Sequence, residues 1–573
     1  MSKYKEYSKQ RQQAQELGIL PEWYTTAGYQ LIVDKYYIDK GETVKDRYTT
    51  IAKTLVQHLP ENLRAEYEDK FFELLWEGIL SPATPVYTNT GKPEKGLPIS
   101  CSGTYCPDSV DGFYKTAHEI AMLSKNGFGT SVYLGDIRPR GSNAANGAKA
   151  DGVVPVMDLI FFTAAHIAQG TRRGSVACYL PVSHPDFYEV VHWLENNSDG
   201  SNFGWCFTDE DIAKLNDNDP EMLKRYQEVL YLRMLGIGYI YLSDNVSRQN
   251  PKVYKDNGIE VKASQLCTEV ILHSSELLSY TCCLSSQNLV HWDKIEANPQ
   301  YIFDSIVFLD CVNSEFIKQS EGIPGLEKAR NFAIWSRPVG LGVMGLSTYM
   351  QQKSIIFDSF EGHLLNTHIF KTIREWADKA NEWLGATLGE PELMKGTGLR
   401  CSHLLAVAPT LSTAIVMGGV SNGIEPFYAN AYISETSSGE IRRANPVLVE
   451  LLKSKGYWTK DIIDSIIQNS GSVQHLGSHI LTDHEKAVLR TAFEVDQMAI
   501  IRMSEARQRY IDQAQSINLF ISAEAEEEYI SYLHKEAMTS KWIKSLYYVR
   551  SNAGVNGRTT LSEQKSACSS CEG

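Results

Sequence analysis

This sequence lacks three features, and each absence excludes a class of protein. No stretch approaches the roughly 18 uninterrupted apolar residues that suggest a membrane span. The N-terminus, MSKYKEYSKQRQQAQELG, is charged and has no apolar core like that of a signal peptide. A surplus of basic residues is also absent, because the formal net charge is -14, which argues against broad binding to nucleic acid. We therefore expect a cytoplasmic protein that has neither a membrane nor a nucleic acid as its partner.

Cysteine, by contrast, is present in number, with eleven in a chain of 573 residues. In a reducing compartment these should be buried thiols, metal ligands or redox catalysts rather than a static disulfide framework. Their number is odd, which also fits poorly with a fully paired set. The cysteines are therefore the first residues to consider for chemistry.

Hydrophobic spacing divides the chain into three regions. Residues 1–80 are predicted to be helical, because DRYTTIAKTLVQHL and RAEYEDKFFELLWEGIL place apolar residues at three- and four-residue intervals. In residues 81–545 a turn-rich start precedes amphipathic helices that alternate with strand-like runs such as SVACYL and LGIGYIYL, which favours an α/β architecture. Residues 546–573 are mainly polar and rich in Gly, Ser and Asn, which predicts a mobile tail.

The predicted tail carries two cysteines, Cys568 and Cys571, in a CxxC spacing. Such spacing generally favours an intramolecular disulfide, so the pair could exchange with another disulfide that it reaches. The alternatives are half of a zinc site and an accident of composition, although the tail has no further His or Cys to complete a zinc site. The pair alone does not decide between them.

A thiol and a carboxylate lie two residues apart in the segment SQLCTE, at Cys267 and Glu269. Their side chains point to the same side if the segment is extended. A sulfur radical that removes a hydrogen from a sugar carbon needs both groups, because a base must take the proton of the neighbouring hydroxyl. The alternative, a buried structural cysteine beside a surface glutamate, is the commoner situation for so short a pattern.

Tyr547 and Tyr548 are adjacent in KSLYYVR, just before the composition turns polar. Tyrosine is oxidised reversibly at its phenol, so two neighbouring rings could pass an electron and a proton in steps. The alternative is a pair of aromatic side chains on opposite faces of one strand or helix.

Separated motifs then occur in a defined order. Cys101 in PISCSGTYC is followed by Cys267, by Cys282 in YTCCLSSQNL, by the tyrosine pair and by the terminal CxxC. With TPVYTNTG, NGFGT, IRPRGS, QGTRRGS and NGIEP, this arrangement resembles the class I ribonucleotide reductase large subunit, from about residue 80 to the C-terminus. The resemblance implies a ten-stranded α/β barrel of two antiparallel half-sheets of parallel strands, with Cys267 on a central finger loop.

The resemblance also implies a role for each of these residues in converting ribonucleoside diphosphates to deoxyribonucleotides. Cys267 would carry a transient thiyl radical and remove the 3′ hydrogen of the ribose, and Glu269 would be the base at the 3′ hydroxyl. Cys101 and Cys282 would supply two electrons as the 2′ hydroxyl leaves as water. Cys282 is preferred to its neighbour Cys283 because the following Leu-Ser-x-x-Asn-Leu fixes the register.

Several partners follow from the same resemblance. The Cys568–Cys571 arm would reduce the resulting disulfide and be recharged by thioredoxin or glutaredoxin. Tyr547 and Tyr548 would link Cys267 to a radical-generating small subunit that holds the metal-radical cofactor. This chain itself would bind no cofactor and no metal.

Further positions resemble the nucleotide sites of the family. Substrate phosphates need backbone N–H groups or a helix N-terminus, and APTLSTA stands before NGIEP as the family's phosphate loop does, whereas SETSS at 434–438 follows it. The substrate-binding positions are Thr84, Ser100, Gly127, Pro409, Thr410, Leu411, Ser412 and Thr413. The positions for dNTP or ATP effectors, at the interface of a homodimer, are Asp108, Ser109, Val110, Arg138 and Arg173. Without the family, the effector positions would be assigned to ordinary surface loops.

Two departures from the family pattern have consequences. The family has Asn two residues before the radical cysteine, whereas this chain has Gln265, whose extra methylene moves the amide by about 1.5 Å. Misplacement on that scale can cost about a hundredfold in rate, so we expect a compensating backbone adjustment and retained activity. Only about 80 residues precede the catalytic framework, which predicts a short form without an ATP cone and without on/off regulation by dATP.

Three other functions compete with this interpretation. A cobalamin-dependent or glycyl-radical reductase has no use for the tyrosine pair, and the C-terminus offers no glycyl-radical motif. A catalytically inactive, nucleotide-sensing relative is supported only by Gln265, and the five redox cysteines argue against it. A general thiol-disulfide oxidoreductase would not carry its CxxC on the tail of so large a chain. Whether diphosphates or triphosphates are reduced is left open by the sequence.

Overall fold

The computed structural model describes residues 3–35, 38–169, 172–197, 202–436 and 439–552. The chain begins with a helical region that consists of α1 (Lys3–Glu16), α2 (Thr26–Asp34), α3 (Val44–Leu55) and α4 (Glu61–Trp76). The later helices are α5 (Thr84–Asn89), α6 (Val110–Lys125), α7 (Val154–Ala165), α8 (Phe187–Asn196), α9 (Asp209–Asn216), α10 (Pro220–Met234), α11 (Ser243–Gln249), α12 (Lys252–Asp256), α13 (Trp292–Ala297), α14 (Gln300–Gln319), α15 (Glu327–Ser336), α16 (Leu346–Gln352), α17 (Phe360–Leu388), α18 (Leu411–Val416), α19 (Pro446–Ser454), α20 (Lys460–Gln468), α21 (Asp483–Val488), α22 (Gln497–Gln508) and α23 (Glu527–Thr539). Within the described ranges, none of these helices combines the length and the apolar character that crossing a membrane requires.

Helix α3 shows how the sequence sets the N-terminal region. It begins at a capping box, in which the Thr43 side chain accepts from the Asp46 N–H and the Asp46 carboxylate accepts from the Thr43 N–H. From Val44 to Leu55, apolar side chains at intervals of three and four residues are buried, and the helix packs against α4. The N-terminal region is therefore helical, as the spacing of its apolar residues predicts.

The strands lie between these helices, and most of them join one sheet. They are β1 (Leu80–Pro82), β2 (Cys101–Tyr105), β3 (Gly129–Tyr133), β4 (Ala168–Gln169), β5 (Arg172–Arg173), β6 (Ser175–Pro181), β7 (Asn202–Phe207), β8 (Tyr239–Leu242), β9 (Tyr280–Asn288), β10 (Val339–Met344), β11 (Ala431–Thr436), β12 (Gly439–Ala444), β13 (Leu519–Ile521), β14 (Ser545–Leu546) and β15 (Val549–Ser551). In one half of the sheet, β2, β3, β6, β7 and β8 are parallel neighbours. In the other half, β9 and β10 are parallel. The joints between the halves, β2 with β9 and β8 with β14, are antiparallel.

Backbone hydrogen bonds close this sheet into a barrel. The Leu341 N–H on β10 donates to the Leu404 carbonyl at 2.8 Å, and the Val407 N–H donates to the Ala514 carbonyl at 3.0 Å. The chain that continues from Ala514 ends in β13, which pairs in parallel with β15. Counted over the described residues, the closed ring has ten strands. One half consists of β2, β3, β6, β7 and β8, and the other consists of β9, β10, the segments around Leu404 and Ala514, and the continuous strand β14–β15. The predicted ten-stranded α/β barrel of two half-sheets is confirmed.

Residues 261–272 run through the interior of this barrel and form the finger loop. The Tyr179 hydroxyl, from β6, donates to the Gln265 carbonyl at 2.9 Å. From the opposite wall, the Ala514 N–H donates to the Glu269 carbonyl at 2.8 Å. Hydrogen bonds to two walls therefore fix the backbone on both sides of the loop's turn.

The barrel wall extends further along the chain than the composition indicated. Residues 546–549 are buried, and β15 continues the wall to Ser551. The domain boundary predicted at residue 546 lies inside this segment. The apolar and aromatic side chains of Leu-Tyr-Tyr-Val, residues 546–549, are buried in the barrel before the composition becomes polar. Cys568 and Cys571 lie outside the described residues.

A buried carboxylate on α14 binds two guanidinium groups beside β9 and β10. Asp310 accepts from Arg337 Nε and from Arg400 Nε, each at 2.9 Å. Burial would raise the pKa of Asp310, but the two guanidinium groups together hold it below its ordinary value. The carboxylate is therefore charged in the folded protein and holds α14 to the two arginine-bearing segments.

We expect Asp310→Ala to lower the free energy of unfolding by about 3–5 kcal/mol, because it leaves the buried Arg337 and the partly buried Arg400 without their carboxylate. Chemical denaturation at pH 7 measures this loss. The folded pKa of Asp310 is depressed, so its contribution is complete above roughly pH 4 and lost as the pH falls through the folded pKa. The difference between variant and parent should therefore shrink on acidification.

Asp256→Ala is the matched control, since Asp256 pairs with Lys252 on an exposed helix surface. Exposed pairs contribute little, so this variant should unfold like the parent. Equal losses in the two variants would contradict the prediction.

Candidate active site

Cys267 lies at the turn of the finger loop, and its side chain is completely buried. The Ser516 hydroxyl donates to the Cys267 carbonyl at 2.5 Å. The next residue, Thr268, has φ of 71°, a left-handed conformation that is unfavourable for a β-branched residue and persists only where the surroundings hold it. The Tyr547 hydroxyl donates to Cys267 Sγ at 3.4 Å. The thiol is thus shielded from solvent and contacts a phenol on the barrel wall.

Glu269 follows on the same loop and faces a narrow cleft. Its side chain is buried, and Oε2 accepts from the Ser516 hydroxyl at 3.0 Å. The cleft has a volume of about 50 Å³ and is lined by Ser81, Pro82, Ala83, Thr84, Pro85, Ser100, Cys101, Glu269, Leu284, Ser285, Ser286, Ala408, Pro409, Thr410 and Thr413. It therefore brings a carboxylate, a thiol and several hydroxyl groups to one place.

Cys101 and Cys282 lie directly opposite each other on β2 and β9. Opposed residues of an antiparallel pair have Cα atoms roughly 4.5–5.5 Å apart, which is within the range that a disulfide spans. Burial raises the pKa of both thiols well above the ordinary value. The two groups are therefore protonated at rest and close enough to be oxidised to a disulfide.

The neighbouring Cys283 points the other way. Side chains alternate along a strand, so Cys282 packs with Cys101 inside the barrel, whereas Cys283 packs into the main core outside it. Asp310 and Arg337 are among its charged neighbours there. The geometry thus separates two cysteines that the sequence places side by side.

Two glutamine amides are directed at the paired thiols. Gln265 Oε1 accepts from the Val270 N–H at 3.0 Å, which directs its Nε2 toward Cys101 Sγ at 3.9 Å. Gln513 Nε2 donates to the Val339 carbonyl at 3.0 Å and to Cys282 Sγ at 3.5 Å. Gln513 was not predicted, because it lies far from the cysteine motifs in the chain and belongs to none.

Tyr547 and Tyr548 are both buried, with their ring centroids 4.1 Å apart. Tyr547 contacts the Cys267 thiol, and the Tyr548 hydroxyl reaches Asn202 Oδ1 at 3.2 Å and the Tyr239 hydroxyl at 2.9 Å. The tyrosine pair therefore connects the thiol by direct contacts to Asn202 and Tyr239 on the barrel wall. Asn202 and Tyr239 were also not predicted, because neither stands in a motif.

The segment predicted to bind phosphate borders the cleft. Pro409, Thr410 and Thr413 line it, as do Thr84 and Ser100. Thr84 Oγ1 is buried without a hydrogen-bond partner among the described residues, so it is available to a ligand. Leu411 lines a neighbouring cavity of about 390 Å³ instead. Neither Ser412 nor Gly127 is among the residues that line the cleft.

The NGIEP motif supports this segment from behind. Asn422 Oδ1 accepts from the backbone N–H and the hydroxyl of Thr410, and the Gly423 N–H donates to Thr410 Oγ1 at 2.8 Å. The motif thus fixes the position of Thr410 at the edge of the cleft.

Three of the predicted effector positions, Asp108, Ser109 and Val110, lie at the start of α6, and Arg138 follows β3. Asp108 pairs with Arg138 at 2.5 Å, and Ser109 caps α6 by accepting from the Gly112 N–H at 3.0 Å. Val110 is largely exposed. The side chain of Arg173 lies outside what the structure describes. Within the described ranges, no three His, Cys, Asp or Glu side chains are grouped as a metal site would require.

Comparisons with known proteins give one consistent result. A family model described as "Ribonucleotide reductase, barrel domain" matches residues 99–218, 227–390 and 382–549, and one described as "Ribonucleotide reductase, all-alpha domain" matches residues 22–95. The putative ribonucleoside-diphosphate reductase large subunit of Frog virus 3 (isolate Goorha) is 31% identical over 95% of this chain and 97% of its own length. The ribonucleoside-diphosphate reductase large subunit of Invertebrate iridescent virus 3 is 30% identical over 95% and 98%. The solved structure of the Actinobacillus ureae class Id ribonucleotide reductase alpha subunit has a TM-score of 0.84 at 37% identity, covering 92% of this chain and 97% of that one.

The matched regions contain the whole of the described site. The finger loop, the opposed thiols of β2 and β9 and the tyrosine pair all fall inside the barrel-domain match. The relatives are matched over nearly their full length, so the likeness is not confined to one motif. The chain belongs to the family of class I ribonucleotide reductase large subunits.

Proposed function

We propose that this chain is the catalytic large subunit of a ribonucleoside-diphosphate reductase and reduces the ribose 2′ position by thiyl-radical chemistry. The observation that carries the proposal is the contact between the Tyr547 hydroxyl and Cys267 Sγ, 3.4 Å apart inside a closed barrel. A buried thiol with a phenol as its neighbour can receive a radical while solvent and other thiols are kept away. Diphosphate substrates are proposed from the names of the relatives.

In the first step, the Cys267 thiyl radical removes the 3′ hydrogen atom of the bound ribose and becomes a thiol. Glu269 takes the proton of the 3′ hydroxyl, because its carboxylate faces the cleft that Cys101 also lines. The Ser516 hydroxyl lies within hydrogen-bond distance of both the Cys267 carbonyl and Glu269 Oε2 and shares its one proton between them, which holds the two groups in position. Positioning of this kind is worth several orders of magnitude in rate.

In the second step, Cys101 and Cys282 reduce the substrate radical. The 2′ hydroxyl receives one thiol proton and leaves as water. The 2′ carbon receives the second thiol hydrogen, the two thiols supply two electrons as an S–S bond forms between them, and Glu269 returns its proton to the 3′ oxygen. Cys267 then returns the hydrogen atom to the 3′ carbon and becomes a thiyl radical again. Overall, one ribonucleotide and one dithiol yield one deoxyribonucleotide, one disulfide and one water.

Several partners complete the cycle. A separate small subunit with a metal-radical cofactor would oxidise the tyrosine pair, and the Cys568–Cys571 arm, recharged by thioredoxin or glutaredoxin, would reduce the disulfide. Substrate phosphates would bind at Pro409–Thr413. Bound dNTP or ATP at Asp108, Ser109, Val110 and Arg138 of a homodimer would set the base preference, with Arg173 relaying it.

The decisive experiment is reduction of the four ribonucleoside diphosphates by the full chain with its cognate small subunit, dithiothreitol and varied dNTP effectors. We expect deoxynucleoside diphosphates as products, with a base preference that changes with the effector. Substrate labelled with tritium at the 3′ carbon reports hydrogen abstraction separately: a small part of the tritium escapes by exchange from the Cys267 thiol before it is returned, and more escapes when product formation is blocked. Nucleotide binding without tritium release or product would overturn the proposal in favour of a nucleotide-sensing protein.

Gln513→Leu should slow the regeneration of the dithiol by roughly two- to tenfold, the range expected for one lost hydrogen bond. When the incoming thiolate attacks Cys101 Sγ, the S–S bond breaks and Cys282 leaves as a thiolate. The Gln513 N–H, which lowers the pKa of Cys282 against the larger effect of burial, stabilises that charge. After a single turnover, the rate at which dithiothreitol restores free thiols measures the effect. The single turnover of pre-reduced enzyme is the internal control and should change less. Unaltered regeneration in Gln513→Leu would show that the amide has no such role.

A further inference from the structure

A third tyrosine contacts both members of the Tyr547–Tyr548 pair. Tyr239, on β8, is completely buried, and its hydroxyl oxygen lies 2.9 Å from that of Tyr548. Its ring centroid lies 5.1 Å from that of Tyr547 and 5.2 Å from that of Tyr548. The three rings therefore form a triangle in which each ring is within contact distance of the other two.

The hydroxyl groups of this triangle share one acceptor. Asn202 Oδ1, at the start of β7, accepts from the Tyr239 hydroxyl at 3.0 Å and from the Tyr548 hydroxyl at 3.2 Å. A buried phenol normally finds one hydrogen-bond partner, so this network exceeds what packing requires. The two hydroxyl protons are shared among three contacts, so while one phenol donates to Asn202, the other can donate to its neighbour's oxygen 2.9 Å away. A proton can therefore pass between the two phenol oxygens over a short distance.

We propose that Tyr239 is a third redox tyrosine, which exchanges a hydrogen atom with Tyr548 and so shares the radical on its way to Cys267. In this step, one electron and the phenolic proton of Tyr239 pass to the Tyr548 phenoxyl radical along the hydrogen bond between the two oxygens. Tyr548 becomes a phenol and Tyr239 a phenoxyl radical, and no other reactant is consumed. The proposal rests on the proposed function, because it needs a radical delivered to Tyr548.

Two features make the exchange efficient. Donor and acceptor are the same chemical group, so the free-energy difference between the two radicals is set only by their surroundings. Tyr239 also contacts the ring of Tyr547, whose hydroxyl reaches Cys267 Sγ. A radical on Tyr239 is therefore in contact with both the preceding and the following member of the path.

The test places the more easily oxidised analogue 3-aminotyrosine at position 239 of the full chain, and separately at positions 548 and 241. Tyr241 is the matched control, because it is a buried tyrosine two residues along the same strand, whose hydroxyl bonds the Val261 carbonyl instead at 2.9 Å. Each protein is mixed with the small subunit, a ribonucleoside diphosphate and an effector, and electron paramagnetic resonance is recorded over time.

We expect an aminotyrosyl radical at positions 239 and 548 at similar rates, and none at position 241. A radical at 548 without one at 239 overturns the proposal and leaves the proposed function intact. Absence of a radical at all three positions, together with absence of product from the unsubstituted chain, overturns both.

A second variant separates redox participation from a structural role. Tyr239→Phe keeps the ring and removes the hydroxyl, and we expect turnover to fall about tenfold. This corresponds to an increase in the activation free energy about equal to the contribution of one hydrogen bond. Asn202→Asp should leave the Tyr239 and Tyr548 rings in place, but it should make turnover depend on pH, since a titrating acceptor would then face both phenols. Parent-like turnover in Tyr239→Phe would overturn the proposal even if the protein folds normally.

Discussion

Cys267→Ser is expected to abolish deoxynucleotide formation and also the small release of tritium from the 3′ carbon that exchange of the Cys267 thiol allows in the parent. The substitution changes one atom, and the hydroxyl retains the hydrogen bond from Tyr547 and the space of the thiol. An O–H bond is considerably stronger than an S–H bond, so a phenoxyl radical cannot generate the oxygen radical that abstraction would require. The loss should therefore exceed any effect of misplacement, which is on the order of a hundredfold.

Cys206→Ser is the matched control for this variant. Cys206 is another buried cysteine of the same cluster of side chains, and its Sγ contacts the Lys262 carbonyl at 3.9 Å, which a serine hydroxyl can also use. We expect Cys206→Ser to retain turnover and Cys267→Ser to lose it, with similar circular dichroism and nucleotide binding. Product from Cys267→Ser above the background of the isolated subunits would contradict the assignment of the radical to this thiol.

The residues themselves predict the α/β class of the fold, but they do not predict that the sheet closes into a barrel. The capping box at Thr43 and the spacing of apolar residues in α3 and α4 indicate helices directly. The barrel, however, is completed by the segments around Leu404 and Ala514, which make only a few bridging hydrogen bonds to their neighbours. Their partners lie tens of residues or more away in the chain, and no local periodicity records such pairing. Closure was expected only through the family resemblance.

The candidate site could also be predicted only in part from the sequence. Cys267 and Glu269 are two residues apart, so their proximity could be expected from spacing, but the backbone between them is a turn with Thr268 in a left-handed conformation, not the extended segment that was predicted. The opposition of Cys101 to Cys282 depends on the register of β2 with β9, which spacing does not give. Gln513 and Tyr239 acquire their contacts only through tertiary packing, since each belongs to a different wall of the barrel. Gln265 also contacts more than its spacing indicated, because its amide bridges the Val270 N–H and the Cys101 thiol.

Cys282→Ala is expected to prevent repeated turnover while hydrogen abstraction at the 3′ carbon continues. Cys267, Glu269 and Tyr547 are untouched by the change, so the substrate radical still forms. Without Cys282, however, Cys101 has no partner with which to form a disulfide, and the two electrons needed at the 2′ carbon are not delivered. Tritium release without deoxynucleotide is therefore the expected signature.

The adjacent Cys283→Ala provides the control, because it removes the same atom from the same strand on the opposite face. Cys283 packs in the outer core and is not among the residues that line the cleft, so its loss should leave turnover close to that of the parent. The cost should appear instead as a loss of stability of about 1 kcal/mol, typical of a small cavity in a core. The reverse result, turnover in Cys282→Ala and none in Cys283→Ala, would show that the other cysteine is the reductant and that the side-chain alternation of β9 has been assigned to the wrong faces.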